Sequence, residues 1–344
     1  MRLDAFDFEL PERLIAQHPA DRRDSSKMMV VWPDGRREHR IFRELPDILD
    51  PGHFLVMNAS RVFPARLRAR RPGREEEIEI LLARERGPGL WEALVRPARK
   101  APVGQKLLFD GLTASVAAVT GFGGRVLEFA PRPDLMQDIE RIGEPPLPPY
   151  IRRPRGHDFT EDKHRYQTVY AGKAGSVAAP TAGLHFTEDV LGRLRRRGVP
   201  VCDILLHVGY GTFQPVRSDT VEAHTMEPER YHADAENLAR IRAYKAEGRR
   251  LIAVGTTTTR CLEFLARDGR LPETASEGDC NLFIYPGFRF HAVDGMVTNF
   301  HLPRSTLFLL VCALAGRDLM LDCYREAIGR GYRFYSYGDC MLIL

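Results

Sequence analysis

Five stretches of the chain set imidazole, hydroxyl, amide and carboxylate groups among glycines directly after apolar runs, where a folded sheet would expose them. In GSVAAPTAGLHFT (175–187) the small residues let backbone N–H groups approach a ligand. That run opens into a helix N-terminus, an arrangement suited to anions. Its Ser176 lacks the Gly-x-Ser-x-Gly setting of a hydrolase nucleophile. LHVGYGTF (206–213) has Gly209 and Gly211 but no third glycine and no helix after it, so it fails as a dinucleotide fingerprint. VGTTTTR (254–260) runs from a strand into hydroxyls and a helix, which could cradle a carboxylate or ribose, or merely cap the helix. TNFHLPRST (298–306) carries His301 into an apolar helix, and YSYGD (335–339) sets Asp339 before an apolar tail. One histidine in such a loop is more often a satisfied structural group. Several such loops in one domain point to a shared site.

The elements that must position these loops change character along the chain. Residues 12–18 read as a short helix opened by Pro11, and 28–32 with 36–42 as a hairpin around Asp34-Gly35. HFLVMN (53–58) is a buried strand ending abruptly in polar residues. From about 67 to 129, short apolar runs at 78–82, 91–95, 106–109, 114–119 and 125–129 alternate with Gly- and Pro-rich turns. That spacing suggests a small antiparallel barrel or sandwich. The proline-rich run 145–149 is a rigid exit. Beyond it, helices at 188–197, 235–247, 305–315 and 319–330 alternate with strands at 200–208, 251–254, 283–285 and 293–297. The expected fold is α/β: a layered domain with a mainly parallel or mixed sheet (1–64 and 150–344), interrupted by a small β-barrel (65–149).

Composition excludes several classes. At 344 residues with 44% hydrophobic content the chain can bury a core without staples. The six cysteines include no C-x-x-C pair and no zinc-finger spacing, and read as reduced core thiols. The N-terminus breaks its apolar residues with acids, unlike a signal peptide. The longest apolar run, 307–316, is far short of the roughly 20 residues of a membrane span. A cytoplasmic protein with no membrane association is expected. The net charge is only +4, yet 44 arginines against six lysines cluster at 66–71, 152–155 and 193–197. Such clusters attract phosphate backbones, although each could equally be a solvated face.

The motifs RYQTVYA (165–171), GSVAAPTAGLHFT (175–187), LHVGYGTF (206–213), VGTTTTRCLE (254–263), FIYPGF (283–288), TNFHLPRSTL (298–307) and YRFYSYGD (332–339) occur in this order. With FDFELPERLIAQHP (6–19) and VMNASRVFPARL (56–67) they span nearly the whole chain. Together they strongly resemble the S-adenosylmethionine:tRNA ribosyltransferase-isomerase family of queuosine biosynthesis. Three places depart from the family's usual residues. Asn58-Ala59-Ser60-Arg61 stands for Asn-Asp-Thr-Arg, Glu227 for a histidine, and Cys280-Asn281 for Thr-Asp.

The resemblance implies transfer and isomerisation of the ribosyl group of S-adenosylmethionine onto 7-aminomethyl-7-deazaguanine at the tRNA wobble position. The product is epoxyqueuosine, and adenine and methionine are released. S-adenosylmethionine is then a co-substrate; no metal or other cofactor is implied, and a monomer is expected. This chemistry asks for a base beside the sulfonium, an acid for adenine and a grip on methionine. His185 or His207 is the expected base or acid, with Asp339 and Glu229 as carboxylates. Asn58, Arg61, Tyr166, Thr181, Thr212, Thr256, Thr257, Arg260, Asn299, His301 and Tyr337 are expected to bind substrate. Of these, Tyr166 or Tyr337 would stack on the splayed target base. Arg66, Arg68 and Arg70 are expected to hold the anticodon stem-loop. The rivals are a bare RNA-binding module and an S-adenosylmethionine-dependent RNA methyltransferase. Against the latter, no Gly-rich loop with a distal acid follows a first strand.

Overall fold

The computed structural model describes all residues except 121–122, 155, 210–215 and 217. A nine-stranded sheet forms its centre, and a closed six-stranded barrel stands beside it. Four strands of the large sheet run parallel and adjacent: Val201–Leu206, His53–Asn58, Arg250–Val254 and Gly295–Asn299. Their sequences are nearly continuous apolar runs because both faces are covered. Phe54 and Val56 pack on one side, Leu55 and Met57 on the other. Parallel strands end at one edge, and the loops after Asn58, Leu206, Val254 and Asn299 therefore emerge together.

The C-terminal strand Cys340–Ile343 inserts between Gly295–Asn299 (antiparallel) and Lys27–Val31 (parallel) and is entirely buried. Its register pairs Cys340 with Asn299, so the loop 335–339 opens at the same edge. The hairpin partner of Lys27–Val31, strand Arg37–Ile41, closes that side of the sheet.

The barrel shows the period-2 code most plainly. In Arg66–Arg70 the leucine and alanine point inward and the arginines outward. Strand Glu77–Gly87 bends through two register shifts, at 82/84 and 85/87, which lets the sheet close on itself. Its core holds Leu67, Ile78, Ile80, Leu82, Trp91 and Leu127. Helix Leu135–Ile142 follows the last barrel strand and precedes the proline run.

Two expectations need correction. Residues 12–18 form a single 3-10 turn, Glu12–Leu14, and 283–285 is irregular although Phe283 and Tyr285 pack on the core. Of the two expected forms the sheet takes the mixed one: strands Glu229–Ala233 and Ser276–Cys280 add an antiparallel flank. Ser276–Cys280 (SEGDC) buries only Cys280, so as an edge strand it has no apolar alternation to read. All six cysteines are free and buried; burial pushes the Cys202 thiol up to about 11. Among the described residues no helix is long and apolar enough to cross a membrane.

Candidate active site

The converging loops enclose a recess at the carboxyl edge of the parallel strands. About 830 Å3 of empty space lies within its lining, open solvent included. Thr181, Thr256, Thr257, Asn299 and His301 all line it, so five of the expected binding residues do meet. Thr256 and Thr257 open helix Thr256–Leu265, whose N-cap Gly255 sits at φ 94° and supplies no side chain. Only glycine adopts that conformation at no cost. The first amides of the helix are thus left for a ligand, and they favour an anion.

His301 is the titratable group on this wall. Its Nε2 lies 2.8 Å from Thr298 Oγ1, whose own hydrogen is directed at Asn299 O. Nε2 therefore carries the ring proton, and Nδ1 keeps its lone pair. The backbone N–H of His301 donates to Tyr324 Oη at 3.0 Å, which fixes the loop from behind. Ser305 caps the next helix by accepting from the Phe308 N–H. Burial lowers the His301 pKa to about 3, so the ring is neutral at pH 7.

His185 stands one layer deeper. Its Nδ1 meets Ser26 Oγ at 2.7 Å and its Nε2 meets Asn299 Nδ2 at 3.1 Å, so both nitrogens are committed. Burial, aided by Arg333 and Arg23, lowers its pKa to about 3. His185 holds Asn299 and has no free nitrogen for proton transfer. Both histidines stay neutral in the fold while the unfolded chain protonates below about pH 6.5. Their stabilising contribution is complete above pH 6.5 and falls toward pH 3, by about 1.4 kcal/mol per pH unit for each ring. The urea midpoint should accordingly drop between pH 7 and pH 5, and His185→Asn should flatten that slope. A midpoint level across this range would contradict the neutral burial of these rings.

Other expected residues lie elsewhere. Asp339 accepts the N–H groups of Lys27 and Arg333 at 2.9 and 2.7 Å, and burial raises its pKa; it fastens the sheet. Asn58 spends its side chain on Leu206 and Ser60. Tyr166 and Tyr337 are buried edge to face, and Tyr337 donates to Asp162, so neither offers a face to a base. Arg61 pairs with Glu140 on the barrel side. Arg260 is buried against Glu229, Nη1 to Oε2 at 2.5 Å, and its Nε donates to Leu282 O. Thr212 lies outside the described residues.

Glu229 and His207 face a second concavity, a cleft of about 1790 Å3 between the barrel and the sheet, together with Trp91, Glu227 and Arg230. His207 packs so closely on Gly175 that a Cβ there would come within 2.7 Å of its ring. Burial, then Arg230 and His232, lower its pKa, and its Nδ1 has no partner among the described residues. Glu227, at one of the departures from the family pattern, is pushed up by burial and by Glu229. Arg66, Arg68 and Arg70 line a separate groove on the barrel. Arg66 donates to Leu147 O, Arg68 pairs with Glu144, and Arg70 pairs with Glu75.

Two residues were missed. Tyr150 and Tyr335 stack on the rim of the recess, ring centroids 4.1 Å apart and 32° between planes. Tyr335 holds a left-handed backbone (φ 72°), pinned by its N–H to Phe300 O and by Asn299 Nδ2 on its carbonyl. An aromatic after a rigid proline run was the one signal for Tyr150. Nothing local marked Tyr335.

Residues 3–343 match the family described as queuosine biosynthesis protein. The chain belongs to that family. Among curated family members it is 50% identical to the S-adenosylmethionine:tRNA ribosyltransferase-isomerase of Pelotomaculum thermopropionicum, over all of both chains. It is also 50% identical to that of Thermus thermophilus, over 99% of each. Among solved structures, the S-adenosylmethionine tRNA ribosyltransferase of Thermotoga maritima matches with a TM-score of 0.57 at 40% identity, over 99% of this chain and 100% of that one. The fold is therefore that of a queuosine-family protein.

Proposed function

We propose that this chain is an S-adenosylmethionine:tRNA ribosyltransferase-isomerase that carries out its chemistry in the recess at the carboxyl edge of the sheet. It transfers and isomerises the ribosyl group of S-adenosylmethionine onto 7-aminomethyl-7-deazaguanine at the wobble position of tRNA. Adenine and methionine leave, and epoxyqueuosine remains in the RNA. The observation that carries this reading is the meeting of Thr181, Thr256, Asn299 and His301, from three separate loops, around one recess in a full-length family member.

The methionine carboxylate sits at the uncapped helix N-terminus with the Thr256 and Thr257 hydroxyls. His301 Nδ1 takes the proton from the ribose carbon bonded to sulfur. The sulfonium makes that carbon acidic, and proton transfer cancels the sulfonium charge as the imidazolium forms. The net charge in the recess is unchanged, so the burial that keeps the empty ring neutral does not oppose the transfer. His207, kept neutral by burial and with no described partner on Nδ1, receives the proton of the aminomethyl ammonium from the cleft side. Positioning of that amine supplies much of the remaining rate. S-adenosylmethionine is consumed as a co-substrate and no other cofactor enters. The enzyme works in the cytoplasm as a monomer.

The anticodon arm lies along the barrel on the edge formed by Arg66, Arg68 and Arg70. Arg70 pairs with the exposed Glu75 and Arg68 with the half-buried Glu144, surface pairs worth about 1 kcal/mol or less that phosphates can replace, while Arg66 is held by Leu147 O. Reversing Arg68 and Arg70 to Glu should weaken tRNA binding severalfold and lower the salt slope by about 2. An unchanged affinity and slope would remove the barrel edge from the interface.

Chromatography of the small molecules released with precursor-bearing tRNA tests the activity itself. Adenine and methionine in equal amounts are expected. S-adenosylhomocysteine would indicate methyl transfer, and no release would leave an RNA-binding module.

A further inference from the structure

The Tyr335 carbonyl can only accept, so the Asn299 atom 3.0 Å away is the amide nitrogen. That same nitrogen faces His185 Nε2 at 3.1 Å, which makes Nε2 the bare nitrogen of the ring. Nδ1 then carries the proton and gives it to Ser26 Oγ, whose own hydrogen goes to Arg23 O. Every group in this relay has one consistent role. The amide cannot flip.

The relay leaves Asn299 Oδ1 buried with no partner among the described residues, on a residue only 2% exposed that lines the recess. A buried acceptor held in place with nothing to accept is costly unless a ligand supplies the donor. The Tyr335 ring, stacked on Tyr150, borders the same recess, and its backbone is held by the same amide. A planar heterocycle carrying an N–H donor satisfies both features.

We propose that Asn299 Oδ1 accepts an N–H of the adenine 6-amino group while the purine lies against Tyr335, so that this wall selects an adenine over a 6-oxo purine. The proposal rests on reading the recess as the S-adenosylmethionine site. The other strong donor of that substrate, the methionine ammonium, calls for a counter-charge. No carboxylate lines the recess among the described residues. Ribose hydroxyls accept as readily as they donate and gain nothing special from a pure acceptor. A 6-oxo group would instead set two acceptors against each other in a buried place.

The test compares kcat/KM for S-adenosylmethionine with its 6-oxo and 6-dimethylamino analogues at saturating precursor tRNA. Sites built to bind an N–H reject analogues lacking it strongly, so losses of about 10²-fold or more are expected, mainly in KM. A 6-monomethylamino analogue, which keeps one N–H, should fall much less. In Asn299→Leu the gap between S-adenosylmethionine and the 6-oxo analogue should shrink to the difference in leaving group alone. Analogues within about threefold of S-adenosylmethionine in the wild-type enzyme would overturn the proposal, and this holds even if the variant fails to fold. Failure of the wild type to release adenine from S-adenosylmethionine at all would instead overturn the reading of the recess, and this assignment with it.

Discussion

His301→Ala should lower the single-turnover rate of adenine release by about 10²–10⁴-fold, the usual range for a positioned acid or base. The KM for S-adenosylmethionine should change far less. The expectation rests on one free lone pair: Thr298 engages Nε2, and Nδ1 is left for the substrate. A pH profile adds a second reading. The ring is the active, unprotonated base above its pKa of about 3, so the wild-type rate should show no acid limb from His301 above about pH 4. His185→Asn can keep an acceptor toward Asn299, and it should cost less than His301→Ala. A loss below threefold in His301→Ala would transfer the role of base to another group.

Glu229→Gln should destabilise the fold by about 3–5 kcal/mol, because it leaves a buried guanidinium without its counter-charge. Arg260 and Glu229 are 3% and 5% exposed, and Glu229 also accepts the Gly209 N–H at 3.0 Å. The pair thus ties helix Thr256–Leu265, which opens on the recess, to strand Glu229–Ala233, which borders the cleft. Replacing both residues by apolar ones of similar size should recover much of the loss, since burying an ion pair brings little net stability. Urea unfolding of the single and double variants measures this directly. A single-variant cost under 1 kcal/mol would mean that water reaches the pair.

Individual strands and several helices were readable where patterning is strong. HFLVMN and the C-terminal CMLI announce buried strands by their unbroken apolar runs, and short apolar runs between Gly- and Pro-rich turns announce the barrel, whereas the alternating wall strand RLRAR reads first as a cluster of arginines. The antiparallel flank was not readable, because SEGDC has one buried side chain and reads as a turn. The site was legible as a set of loops but not as roles. Sequence places His185, His207 and His301 in equivalent settings. Only the fold shows that the first has both nitrogens committed, the second faces the cleft and the third faces the recess. Asp339 looked like a catalytic carboxylate because loop and strand meet there, and that junction is why it is consumed by two backbone amides. Arg260 looked like a substrate clamp, and its partner Glu229 is 31 residues away in sequence. Such long-range pairing has no local signature.

The central claim is that S-adenosylmethionine reacts in the recess between Tyr335 and helix Thr256–Leu265. Crystals of the enzyme with a precursor-bearing anticodon stem-loop and S-adenosylmethionine, trapped with His301→Ala, test it most directly. The sulfonium is expected beside residue 301, the carboxylate at the amides of Thr256 and Thr257, and the modified base entering from the cleft of Trp91 and His207. Density for S-adenosylmethionine in that cleft, with the recess empty, would contradict it.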